Sequence, residues 1–212
     1  MAYDAADRLA RLVMRLDGPR GRLPALFALT DPNRTPDPLA LARALPPGTG
    51  LILRTFGRPQ LEALAGDLAG IARARDLVFL VAADPELATR CGADGVHWPE
   101  RMLARAARAR FPVMTASAHG PGAIRRAAGM VDAVLVSTAF ASASPSAGRP
   151  MGPFRLAAAA RRARVPVYAL GGVTQVTLPR LAGLGLSGAA AVGGFSDSSV
   201  RPVCVRPHTP GL

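Results

Sequence analysis

The chain has 212 residues, half of them hydrophobic, with a mean hydropathy of +0.22, which is enough apolar material for one folded domain and excludes a disordered polar chain. No apolar run reaches the ~18 residues of a membrane-spanning helix, and positions 1–16 alternate Arg with Leu and Val instead of forming a signal-peptide core, so a cytoplasmic location with no membrane partner is expected. All 26 basic residues are Arg and the net charge is +12, but the arginines are dispersed along the chain and no aromatic platform accompanies them, so no nucleic-acid partner is expected.

In chain order, the first predicted element is a helix over Asp4 to Leu16, with Leu9, Leu12, Val13 and Leu16 on one face and arginines on the solvated one. Eight short aliphatic runs then read as strands: Ala25 to Thr30, Leu51 to Phe56, Val78 to Ala82, Gly95 to Trp98, Pro112 to Ser117, Ala133 to Thr138, Pro166 to Leu170 and Ala189 to Gly193. Helix-period segments stand between them. Gln60 to Arg75 carries Leu61, Leu64, Ala65, Leu68 and Ile71 on one stripe, and similar stripes mark Met102 to Arg110 and Phe154 to Arg164. Gly92-Ala93-Asp94-Gly95-Val96, Gly129-Met130-Val131-Asp132-Ala133 and Gly185-Leu186-Ser187-Gly188-Ala189 repeat one turn from helix to strand, because helix C-termini favour glycine. Strands alternating with helices imply a parallel sheet with crossover helices, here a single (β/α)8 TIM barrel. The expected organisation is a helical extension at 1–22, a barrel at 23–195 and an irregular tail at 196–212, where Pro202, Pro207 and Pro210 replace the stripe of a last helix. Cys91 and Cys204 are read as reduced thiols.

In such a barrel, chemistry gathers at the C-terminal strand ends. Those ends carry Arg54, His97, Glu100, Ser117, His119 and a serine-rich loop containing Ser142, Ser144 and Ser146. Gly171-Gly172 follows the seventh strand and Gly193-Gly194 the eighth, where backbone amides approach a phosphate in many barrels, although paired glycines also make plain tight turns. Asp31, Asp84 and Glu100 form no paired magnesium motif, and three His with two Cys are too scattered for a zinc signature. His97 and His119 read equally well as hydrogen-bonded rim residues, and Asp31 as the cap of an Asp-Pro-Asn turn.

Leu26-Phe27-Ala28-Leu29-Thr30-Asp31, Gly92-Ala93-Asp94-Gly95-Val96-His97, Ser117-Ala118-His119, Ala169-Leu170-Gly171-Gly172-Val173 and Gly188-Ala189-Ala190-Ala191-Val192 occur in an order that resembles the thiamine phosphate synthase and TenI superfamily. The resemblance spans Leu23 to Phe195 and implies a barrel enzyme of thiamine biosynthesis. In the synthase branch, a transferase joins a pyrimidine diphosphate to a thiazole phosphate and expels pyrophosphate with Mg²⁺. The chain departs from that pattern on one half of the site. The strand-two motif Gln-Leu-Arg-x-Lys reads Ile52-Leu53-Arg54-Thr55-Phe56, the strand-three Asn-Asp is Ala82-Ala83, and the second metal Asp aligns with Met102. The lysine of the strand-six loop is missing, which leaves Ser144 and Ser146, and the serine after strand eight is Gly193.

No metal is therefore expected at Ala83 and Met102, and no other cofactor. The expected ligand is a phosphorylated small molecule, a thiazole phosphate or thiamine phosphate, held by Arg54, Ser117, Ser144, Ser146, Gly171, Gly172, Gly193 and Gly194. The resemblance also implies His119 as the acid/base residue of a TenI-like tautomerase. A non-catalytic ligand-binding barrel and a homodimer stay open.

Overall fold

The structure, a computed structural model, describes residues 2–142, 148–193 and 195. Eight parallel strands close into a barrel in the order β1-β2-β3-β4-β5-β6-β7-β8. They are β1 (Leu26–Leu29), β2 (Gly50–Leu53), β3 (Val78–Ala82), β4 (Gly95–Trp98), β5 (Val113–Ala118), β6 (Ala133–Val136), β7 (Val167–Leu170) and β8 (Gly188–Ala191). Closure is direct, since Phe27 pairs with Gly50 on one side and with Ala190 on the other.

Alternate strand residues point to opposite faces, so each strand feeds two cores. Phe27, Leu29, Ile52, Leu80, Ala133, Leu135, Tyr168 and Ala190 form the barrel interior. Their neighbours Leu26, Ala28, Leu51, Leu53, Phe79, Val81, Val134 and Val136 face outward and pack against helix residues such as Leu68, Ile124 and Leu156. Burial on both faces explains why the strands read as unbroken apolar runs. At the bottom of the interior, Tyr168 packs edge-on against Phe27 at 5.4 Å and donates its hydroxyl to the Pro24 carbonyl at 2.9 Å. That fit requires Gly188, because a Cβ there would collide with the Tyr168 ring and the Ala25 carbonyl.

The repeated turns have a common mechanism. Gly92 closes its helix in the left-handed region at φ 68°. Two residues on, Asp94 accepts the Phe79 amide at 2.7 Å and donates its own amide to the Phe79 carbonyl, stitching the entry of β4 to β3. Asp132 repeats this with Met114, tying β6 to β5. In the third turn Ser187 keeps the backbone half, its amide bonded to the Val167 carbonyl, while its buried hydroxyl has no partner among the described residues.

The helices depart from expectation more than the strands. The N-terminal helix α1 spans Ala2–Val13, with Ala5, Ala6, Leu9 and Val13 buried. It packs on β1, on α2 (Pro38–Ala44) and on a 3₁₀ turn at Leu178–Leu181. The stripe expected as one helix over Gln60 to Arg75 is two, α3 (Pro59–Glu62) and α4 (Ala65–Ala74), with Ala63 and Leu64 between them. The helix expected over Met102 to Arg110 shrinks to a 3₁₀ turn at Glu100–Met102 and α6 (Leu103–Ala106). The stripe at Phe154 to Arg164 is α8 (Pro153–Arg162). Three short helices had no apolar stripe long enough to mark them: α2, α5 (Pro85–Cys91) and α7 (Pro121–Ala127). Strand two ends earlier than expected, because Phe56 has a left-handed φ of 53° that extended pairing does not allow. Among the described residues no helix is long and apolar enough to cross a membrane. Cys91 is a free thiol that burial pushes above its ordinary pKa, while Cys204 and the expected 196–212 tail lie outside the described residues.

Candidate functional site

At the ends of β1 and β2, Arg54 is anchored on three sides. Its amide donates to Thr30 Oγ1 at 2.9 Å, its Nε to the Thr30 carbonyl at 2.7 Å and its Nη2 to Asp31 Oδ2 at 3.1 Å. Asp31 also accepts the amides of Asn33 and Arg34 through Oδ1, so the expected turn cap holds the arginine as well. Burial works against its ionised form, but the hydrogen bonds and charges of Arg34 and Arg54 leave its carboxyl below the ordinary range. Arg54 thus reaches the cleft as a fixed cation whose guanidinium lies 5.1 Å from the Phe56 ring.

That cleft, about 640 Å³, opens over β2 to β5 and is lined by Arg54, Ala82, His97, Arg101, Ser117 and others. His97 was expected at the rim and is inside instead. Strand parity places it on the interior face two residues above Gly95, where it is 3 % exposed. Its Nδ1 bonds Thr115 Oγ1 and its Nε2 bonds Ser117 Oγ, both at 2.9 Å. Burial, with a smaller contribution from Arg54, drives its pKa down to about 3, so the ring is neutral near pH 7. A neutral imidazole accepting from one hydroxyl and donating to the other orients Ser117 toward the cleft.

A neighbouring cleft of about 550 Å³ joins Ser117 to Glu100, His119 and Arg126. Glu100 Oε2 accepts the His119 amide at 3.0 Å and faces His119 Nδ1 at 2.8 Å, and its Oε1 accepts from Arg126 at 2.7 Å. Burial alone would raise the Glu100 pKa, but the His119 bonds and the Arg126 charge bring it below its ordinary value. With Nδ1 as the donor to a carboxylate, the tautomer and orientation of the exposed His119 ring are set. Glu100 as the partner of His119 was not legible in the sequence, where the two are 19 residues apart.

Magnesium, which the resemblance implies, needs convergent carboxylates. Ala83 and Met102 supply no ligand atom. Asp84 caps α5 through Oδ1, accepting the Leu87 amide at 2.8 Å, and Glu100 is held by His119 and Arg126. The donor set does not fit the ion. Ala83 nonetheless keeps a left-handed φ of 65°, a conformation that Asn or Asp tolerates better than Ala.

On the opposite side of the mouth, Gly171 (φ 89°) and Gly172 (φ 64°) follow β7, and Gly193 (φ 75°) follows the adjacent β8. At Gly172 the space of a side chain is taken by Phe140 Cβ, at 2.8 Å, and by the Ala141 carbonyl. Close packing of the loop after β6 therefore demands glycine there. The Phe140 amide bonds the Gly171 carbonyl at 3.0 Å, and Thr177 Oγ1 donates to the Gly172 carbonyl at 2.8 Å. Ser144, Ser146 and Gly194 lie outside the described residues. Arg54, His97 and Ser117 therefore share one cleft, Ser117 and His119 share the next, and the glycines form a separate rim.

Residues 26–195 match the family model described as thiamine monophosphate synthase. A thiamine-phosphate synthase of Alcanivorax borkumensis is 30% identical over 186 residues, covering 82% of this chain and 86% of that one. A thiamine-phosphate synthase of Levilactobacillus brevis is 30% identical over 146 residues, covering 65% of this chain and 67% of that protein. Among solved structures, a thiamine phosphate pyrophosphorylase from Pyrococcus furiosus superposes with a TM-score of 0.70 at 20% identity, covering 82% of this chain and 87% of that one.

Proposed function

The chain belongs to the thiamine monophosphate synthase family, and from that premise we propose that it binds a phosphorylated thiazole or thiamine phosphate without supporting magnesium-assisted release of pyrophosphate. One observation carries the reading. The carboxylates nearest the family's metal positions are already committed, Asp84 to a helix cap and Glu100 to His119 and Arg126, while the rim at Gly171, Gly172 and Gly193 keeps its left-handed backbone. Expelling pyrophosphate develops negative charge, and a bound metal offsets several kcal/mol of it. The phosphate of a thiazole or of the condensed product needs only backbone amides and hydroxyls. Arg54 and Ser117 would meet the remainder of the ligand from the facing cleft.

The test is thermal unfolding with thiamine phosphate, thiazole phosphate or pyrophosphate, with Mg²⁺ and with chelator. A ligand at about 100 times its Kd adds about 2.7 kcal/mol. For a chain of this length that is a rise of about 5–11 °C. The rise is expected with thiamine phosphate or thiazole phosphate in chelator. Stabilisation that requires Mg²⁺, or robust synthase turnover, would reject the proposal.

The Glu100–His119 pair favours a second reading, a metal-free thiazole tautomerase. A carboxylate holding Nδ1 fixes the tautomer and leaves Nε2 to move a proton between carbon positions.

A further inference from the structure

The face between α7 and α8 carries a pocket that meets the clefts of the barrel mouth only at His119. It encloses about 520 Å³, the size of a small organic ligand. Its floor is apolar, with Ile124 and Ala159 buried and Met151 and Ala158 half-buried. Four arginines ring it: Arg125 from α7, Arg149 from the segment leading into α8, and Arg155 and Arg162 on one stripe of α8. No Asp or Glu among the described residues lines the pocket. Among the described residues none of the four makes an ion pair, whereas Arg126, one residue away, is bound to Glu100. Helix α8 adds to the same field, since its first turn has no acidic residue and its N-cap, Gly152, offers no side-chain acceptor. His119 stands at the edge.

Four exposed positive charges around an apolar floor select a ligand on two counts. Neutralising them takes an anion of two or more charges, and guanidinium groups match phosphate oxygens two at a time. The floor takes a flat or apolar body, on which arginine planes also stack. We propose that this pocket is a binding site for an organic di- or triphosphate, the chemistry of a nucleoside diphosphate, separate from the thiamine-phosphate rim. A dispersed arginine sequence gave no sign of it, because the four residues converge only when α7 and α8 lie side by side.

The experiment is calorimetric titration of the whole chain with ADP, pyrophosphate and adenosine. Saturable one-to-one binding of ADP is expected, at least about tenfold tighter than either fragment, since each fragment meets only half of the pocket. The double variant Arg155→Ala, Arg162→Ala should weaken ADP at least about tenfold, and Arg161→Ala, Arg164→Ala, which removes the same charge outside the pocket, should change it less than about twofold. Saturating thiamine phosphate should leave ADP binding in place, so this proposal fails or stands independently of the previous one. Three results would overturn it: equal losses in the two double variants, pyrophosphate binding as tightly as ADP, or displacement of ADP by thiamine phosphate. Preference for a single-stranded oligonucleotide over ADP, lost equally in both variants, would also overturn it and assign the charge to non-specific nucleic-acid binding.

Discussion

His97 makes folding stability depend on pH in a calculable way. Folded, the ring is buried between Thr115 and Ser117 with a pKa of about 3; unfolded, it titrates at its ordinary 6.5. Below pH 6.5 the unfolded chain therefore binds a proton that the folded chain refuses, and stability is lost as pH falls toward 3. Between pH 8 and pH 5 the loss from this one residue is about 2 kcal/mol, and over the whole shift it approaches about 5 kcal/mol. The window of pH 5 to 8 is the useful one, because Asp31 and Glu100, whose pKa values are lowered, surrender their own stabilisation at more acid pH. The perturbation is His97→Gln, which keeps a polar side chain beside the two hydroxyls and removes the titration. Urea denaturation of both proteins at pH 8 and pH 5 measures the difference. Wild type should lose about 2 kcal/mol more than the variant over that interval, whatever constant offset the substitution adds. Two folded proteins with the same pH dependence would show that the ring is not the buried neutral group described above.

Three further outcomes follow from single contacts. Tyr168→Phe leaves the buried Pro24 carbonyl without its donor and should cost about 1–3 kcal/mol in chemical denaturation, with the Phe27 ring contact retained. Gly172→Ala combines a left-handed φ with a Cβ driven into Phe140 and the Ala141 carbonyl, so a loss of about 2–4 kcal/mol is expected; a stable variant would mean the loop after β6 packs elsewhere. His119→Asn should preserve thiamine-phosphate stabilisation while reducing any tautomerase rate by about 100-fold or more, measured by isomer conversion at fixed pH. A wild-type chain without that rate would leave ligand binding as the surviving role.

The eight strands and their parallel closure were legible because a strand buried on both faces writes itself as a short aliphatic run, and because glycine-led turns into a strand recur. The helices were less legible. Helices of four to seven residues such as α3, α5 and α7 are shorter than the windows over which periodicity can be judged, and a break at Ala63 and Leu64 leaves the stripe intact. The site was legible as a set of residues at strand ends, and the superfamily resemblance as their order. Their pairings were not. Arg54 meets Asp31 across 23 positions, His119 meets Glu100 across 19 and Tyr168 meets Pro24 across 144. Sequence by itself determined where the eight strands run and in what order, since that follows from local pattern. Only the closed sheet decided which carboxylates are paired and with what, and that four scattered arginines ring one pocket. Those facts depend on register and on helix packing, which bring side chains together irrespective of their separation along the chain.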